Sequence, residues 1–180
     1  MLSSAKGICR TKTKLNRVLK KLGTERRSIM LYIFMGQSCT GKSTVVEKLK
    51  ELREIEVFTG KDYLRMAKNE NEAWNLFYER LSKAALDTDG SHPPIVYLVT
   101  EKDQLDRVGS LKGTYTVKFS ASLDTIKARF AQRMRGHLPP PVETMLERQF
   151  ADWAEVQGDM TVDTTEDVDP LEIARTIMRP

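Results

Sequence analysis

The chain has 180 residues and a mass of 20.6 kDa, the size of one domain with a single buried core and too short for two. Apolar residues make up 40% and charged residues 30%, which excludes a disordered or fibrous protein. No stretch approaches the roughly 18 apolar residues of a membrane span, and two cysteines, Cys9 and Cys39, exclude a disulfide framework or a cysteine-built zinc site.

Residues 1–28 carry nine basic side chains against one acid, Glu25, a net charge of +8. The rest has twenty basic and twenty-four acidic side chains, or −4, so the net +4 and the pI near 9.0 belong to the amino-terminal segment. This segment is expected to be a basic extension, disordered or folded as a short helix on Leu15, Val18, Leu19 and Leu22. Such an arm has the charge to bind nucleic acid. No apolar signal region stands in residues 1–10, and a cytoplasmic location with no membrane partner is expected.

From residue 29 onward apolar runs alternate with amphipathic stretches, the pattern of βαβ units around a mostly parallel sheet. Ile29–Met35 is continuous and apolar, as a strand covered on both faces should be. The spacing predicts a helix over Lys42–Leu52, a strand over Ile55–Thr59, and helices over Tyr63–Ala67 and Ala73–Leu86, the last with Trp74, Phe77, Leu81 and Ala85 inward. A turn at Asp89–Pro94 leads to strands at Ile95–Val99 and Tyr115–Phe119. Helices follow over Leu123–Met134 and Val142–Val156, separated by a non-helical Gly136–Pro141. A strand at Met160–Asp163 and a helix over Pro170–Met178 complete the prediction.

The strongest chemical signal is Gly36-Gln37-Ser38-Cys39-Thr40-Gly41-Lys42-Ser43, a full match to G-x-x-x-x-G-K-[ST] placed between an apolar strand and an amphipathic helix. The two glycines let successive backbone N–H groups turn inward as a nest for phosphate oxygens, and the helix beginning near Lys42 adds the positive end of its dipole. The expected nucleotide-binding residues are Gly36, Ser38, Cys39, Thr40, Gly41, Lys42, Ser43 and Thr44. Lys42 is expected on the β and γ phosphates, the Ser43 hydroxyl on Mg²⁺, and Thr44 on the α phosphate. Cys39 reads as a small loop residue rather than a reactive thiol.

Two further segments carry a family resemblance. Thr59-Gly60-Lys61-Asp62-Tyr63-Leu64-Arg65 resembles the T-G-D-x-L-R segment of adenylate-kinase-like nucleotide kinases with one residue inserted. Shikimate and gluconate kinases carry a D-x-D carboxylate pair at that position, of which Asp62 alone is present here. Ala128-Arg129-Phe130-Ala131-Gln132-Arg133-Met134-Arg135-Gly136-His137-Leu138-Pro139-Pro140, followed by Gln149-Phe150, resembles the lid of gluconate kinases. The similarity extends over residues 30–178. It implies an αβα architecture with a five-stranded parallel sheet in the order 2-3-1-4-5, a P-loop kinase domain over 29–180, and a helical lid near 129–145.

The resemblance also implies roles. Asp62 would meet the acceptor hydroxyl and the metal, Thr59 and Arg65 would hold the acceptor, and Arg129 and Arg133, one turn apart, would present cations to the migrating phosphoryl group. Asp62 reads equally as the cap of the helix that follows it. Glu101 and Asp103, after the third strand, either approach Mg²⁺ through water or begin a solvated helix. Lys61, Trp74, Tyr78 and Arg80 fall in the acceptor-covering region, where the aromatic pair serves either stacking or the core. The expected activity is ATP- and Mg²⁺-dependent phosphoryl transfer to a small acceptor. A nucleoside monophosphate kinase, a nucleic-acid 5′-hydroxyl kinase and a non-catalytic nucleotide-binding module are the alternatives. GTP is not distinguished from ATP, and oligomeric state is not specified.

Overall fold

In a computed structural model of the chain, residues 29–87 and 90–178 are described. The basic segment 1–28, with its expected short helix, lies outside them. Five strands, β1 (Leu31–Met35), β2 (Glu56–Thr59), β3 (Ile95–Val99), β4 (Tyr115–Ser120) and β5 (Met160–Asp163), form one sheet in the order β2-β3-β1-β4-β5. Every pairing is parallel, with Leu31 opposite Ile95, Tyr32 opposite Tyr115, Glu56 opposite Ile95 and Val117 opposite Met160. Parallel neighbours require crossovers over the sheet faces, and the intervening residues supply helices: α1 (Lys42–Leu52), α2 (Glu70–Leu86), α3 (Lys102–Val108), α4 (Leu123–Arg133), α5 (Pro140–Ala154) and α6 (Pro170–Ile177).

Alternation along β1 sorts the core into two layers. Tyr32 and Phe34 face α1 and α6, joining Val45, Val46, Leu49, Ile173, Ala174 and Ile177. Leu31, Ile33 and Met35 face the other way, with Tyr63, Ala73, Phe77, Leu81, Val108 and Trp153. Phe77 is the centre of the second layer, its ring 5.0 Å from those of Phe58 and Tyr97 and stacked 5.9 Å from that of Tyr63. Trp74 and Tyr78 belong to this packing. Trp74 lies edge-on to Tyr63 at 5.2 Å under the Arg107 guanidinium at 3.7 Å, and the Tyr78 hydroxyl meets Ser110. A smaller cluster of Cys39, Ala121, Ile126 and Leu146 joins the turn after β1 to α4 and α5.

Three expected elements differ. The segment after β2 is a single 3₁₀ turn, Asp62–Arg65, followed by Asn69, whose side chain accepts from the N–H groups of Asn71 and Glu72 and starts α2 earlier than the apolar spacing indicated. The Gly136–Pro141 break is shorter than expected, because Pro140 and Pro141 open α5 at positions whose N–H groups have no intrahelical acceptor. Among the described residues no helix is long and apolar enough to cross a membrane. Replacing Phe77, fully buried, by alanine should cost about 3–5 kcal/mol through lost contacts and a residual cavity. Urea denaturation of Phe77→Ala against the unaltered chain measures this.

Candidate active site

The connection order leaves β1 in the middle of the sheet with its successor strands on opposite sides, and such a switch point opens a crevice at the carboxyl ends of the strands. The turn Gly36–Gly41 lies in that crevice. Gly36 donates its N–H to Val99 O at 3.2 Å and has φ 140°, and a Cβ there would stand 2.2 Å from the Phe119 carbonyl oxygen. Only glycine fits. Gly41 ends the turn in the left-handed region, φ 85°, as the residue before α1. It caps α1 without a side chain, and the first turn of α1 has no acidic residue. Its leading N–H groups and dipole are thus directed at the crevice with no internal anion against them.

Lys42 fills the concave side of the turn. It is 5% exposed, and its ammonium donates to the carbonyls of Gly36 and Gln37 at 2.5 and 2.7 Å and to Thr40 Oγ1 at 3.3 Å. Burial lowers its pKa from 10.5 to about 7; Cys39 opposes this change, and the Arg133 charge adds to it. Ser38, Cys39, Thr40, Gly41, Ser43 and Thr44 line the same cavity of about 380 Å³, which Thr59, Gly60, Lys61, Thr100 and Arg133 close from outside. Except for Gly36, which forms the back of the turn, every expected nucleotide-binding residue faces this space.

Three long-range contacts hold the turn in shape. Gln37 Nε2 donates to the Leu146 carbonyl of α5 at 2.8 Å. Cys39 has a left-handed backbone, φ 66°, unfavourable for a residue with a Cβ, and its carbonyl is fixed by Arg129 Nη1 at 3.2 Å. The Thr164 hydroxyl, just beyond β5, donates to the Thr40 and Ser120 carbonyls, both at 3.2 Å.

The two arginines expected on the migrating phosphoryl group are used differently. Arg129 forks onto Cys39 O, Thr164 Oγ1 and Thr164 O, the last at 2.7 Å. It borders a second cavity of about 400 Å³, floored by Val45, Val168, Pro170 and Ile173, which shares Cys39, Gly41, Thr44 and Arg133 with the first. Arg133 faces both cavities. Beyond it Arg135 and Gly136 take positive φ and end α4. Lys127 of α4 reaches Glu143 and Glu147 of α5, each at 2.7 Å, joining the two helices.

On the acceptor side, Asp62 accepts from the Thr59 N–H at 2.8 Å and the Thr59 hydroxyl at 2.7 Å, bonds that, with the Arg65 charge, hold its pKa below the ordinary value. It closes the turn after β2 and is not among the residues lining the loop cavity. Arg65 is exposed, 3.6 Å from Asp62. Arg80 lies at the other end of β2, paired with Glu56. Asp103 opens α3 in its first turn, with Glu101 at the capping position. Both border a polar cavity of about 330 Å³ with Lys102, Arg148, Gln149 and Asp152, which meets the loop cavity at Thr100. Residue spacing had no means of bringing Thr100, Arg148 and Thr164 to the site, since each arrives from a separate crossover.

The donors around the loop do not fit a Mg²⁺ held by the protein. Ser43 offers one hydroxyl, no carboxylate lines the loop cavity, and Lys42, Lys61 and Arg133 do. A hard divalent cation seeks one or two carboxylates in addition to phosphate and water.

No protein-family model and no curated protein matches the chain. Solved structures share its fold. A gluconokinase from Sinorhizobium meliloti 1021 superposes with TM-score 0.54 at 18% identity, covering 85% of this chain and 91% of its own. A shikimate kinase from Acinetobacter baumannii, in complex with shikimate, gives 0.53 at 17% identity over 85% and 93%. A sugar kinase from Janibacter sp. HTCC2649 gives 0.52 at 15% identity over 82% and 91%. The chain therefore has the fold of the P-loop kinases.

The buried Lys42 has a consequence for stability. Between pH 7 and 10.5 the unfolded chain carries a proton on this amine that the folded chain has lost, so its contribution to stability rises with pH across that window. Urea midpoints measured from pH 7 to 9 should climb more steeply for the unaltered protein than for Lys42→Met, and parallel profiles would contradict the assignment.

Proposed function

We propose that the chain is a kinase that transfers the γ-phosphoryl group of ATP, or of GTP, to a hydroxyl on a small acceptor. The observation that carries this reading is the convergence on one cavity of the uncapped start of α1, the buried Lys42 and the Arg133 guanidinium. Inward N–H groups and nearby cations stabilise charge on a phosphoryl group in flight.

In this reading the polyphosphate lies along the turn, against the amides of 38–44, with Lys42 leaving its carbonyl partners to meet the β and γ oxygens. The base and sugar extend into the neighbouring cavity, whose apolar floor of Val45, Val168 and Ile173 suits a planar ring. Arg129 holds the Cys39 carbonyl in place, and Arg133 neutralises the transferred group. The acceptor enters over Thr100, where Arg148, Gln149 and Asp152 offer a cation, an amide and a carboxylate. That set suits a polyhydroxylated acid, in keeping with the gluconokinase and shikimate kinase likeness. Thr59 lines the adjoining loop cavity, and in this reading Asp62 and Arg65, in the turn that follows it, also serve the acceptor. Mg²⁺, where it takes part, comes with the nucleotide, and no step is assigned to it.

A second reading has one observation in its favour. Asp62 is engaged by Thr59, which suits a nucleotide-binding module without acceptor chemistry. ATP incubated with pooled sugar acids, nucleoside monophosphates and oligonucleotide 5′ ends separates the two: transfer to one class identifies the kinase, and slow hydrolysis with no transfer identifies the module.

Lys42→Ala should lower phosphoryl transfer by at least about a hundredfold while leaving the far-ultraviolet circular dichroism unchanged. Arg133→Ala should reduce kcat more than it weakens ATP binding, because its contact strengthens as charge develops on the transferred group. Weaker ATP binding with kcat unchanged would mark Arg133 as a ground-state clamp.

A further inference from the structure

We propose that Lys61 is a phosphate-binding residue of the loop cavity and that this site takes a nucleoside triphosphate without needing a divalent cation. This rests on the reading of the loop as a nucleotide site and goes beyond it. The charge balance of the cavity is the starting point. Its lining includes Lys42, Lys61 and Arg133 and no aspartate or glutamate, and among the described residues no cluster of three or more His, Cys, Asp or Glu side chains is arranged to hold a metal. The nearest carboxylates lie outside this lining, Glu166 and Asp167 among them on the border of the adjoining cavity. Asp62 is bonded to Thr59, and Glu101 and Asp103 border the cavity that meets this one at Thr100.

Lys61 reaches this position through a pinned backbone. Gly60 has φ 48°, donates its N–H to Leu98 O at 3.1 Å, and accepts from the Tyr97 hydroxyl at 2.9 Å. The Lys61 carbonyl accepts from the Leu64 N–H at 3.0 Å. The Asp62 carboxylate, closing the turn on Thr59, holds the two residues between them, Gly60 and Lys61. Thr59, Gly60 and Lys61 accordingly form the wall of the loop cavity opposite Lys42 and Ser43. A triphosphate with about four negative charges would meet three cationic side chains and a helix amino terminus. Mg²⁺ ordinarily supplies two positive charges and bridges the β and γ oxygens; here Lys61 supplies charge from the protein, and no carboxylate gains from a bridging ion.

Isothermal titration of ATP into the full chain, in EDTA and in excess Mg²⁺, tests this. The expected result is a Kd within about threefold in the two conditions for the unaltered protein. Lys61→Ala should weaken binding about tenfold in EDTA and less in Mg²⁺, Lys61→Arg should retain it, and Lys61→Asp should bind only when Mg²⁺ is present. Lys61 is exposed, so these variants should keep the fold. A Kd more than tenfold weaker in EDTA for the unaltered protein, or a Lys61→Ala variant indistinguishable from it in EDTA, overturns the proposal and leaves the nucleotide site standing. Absence of ATP binding in both conditions overturns the nucleotide site itself, and the role of Lys61 with it.

Discussion

The packing of the Gly36 backbone against the Phe119 carbonyl is the constraint from which the site follows. That approach leaves no space for a side chain, turns the chain sharply out of β1, and wraps the next five residues around whatever occupies the hollow. Here the occupant is the Lys42 ammonium, bonded to the Gly36 and Gln37 carbonyls. A buried cation without a carboxylate partner is costly, so the hollow is a place where negative charge is wanted. The functional reading comes from this electrostatic deficit, since the overall fold accommodates many chemistries.

Charge around the deficit is distributed unevenly. Carboxylates stand around the loop cavity rather than in it: Asp62 is engaged by Thr59, Glu101 and Asp103 lie beyond Thr100, and Glu166 and Asp167 border the neighbouring cavity. Cations remain at the loop itself. A cavity arranged in this way attracts anions, and α4, joined to α5 by Lys127 with Glu143 and Glu147, carries Arg129 and Arg133.

Much of this was legible from the amino-acid order. The bounds of β3 follow from an unbroken apolar run and those of α1 from helical spacing and the glycine before it, because local pattern and tertiary burial agree there. The turn 36–43 was readable because phosphate chemistry needs those residue types at that spacing. Asp62 was open between cap and acceptor contact, and its hydrogen bonds to Thr59 are those of a turn-closing residue. Arg129 was readable as a cation on the lid but not as a support for Cys39, since Thr164 lies 35 residues away and meets it only through the sheet. Lys61 stood out less than its acidic neighbour because a surface lysine is ordinary until the walls around it are known. The early start of α5 depended on two prolines that read as breakers and act as initiators.

The Thr164 contacts bear on how the protein comes to be assembled. This residue bonds to Thr40 and Ser120 and receives Arg129, so segments separated by more than a hundred positions must all be present before the turn after β1 takes its shape. A nascent chain that has just released α5 from the ribosome would contain all eight letters of the glycine-rich signature, yet lack the strand that props it. The shape of the turn is then a property of the assembled sheet rather than of the signature alone.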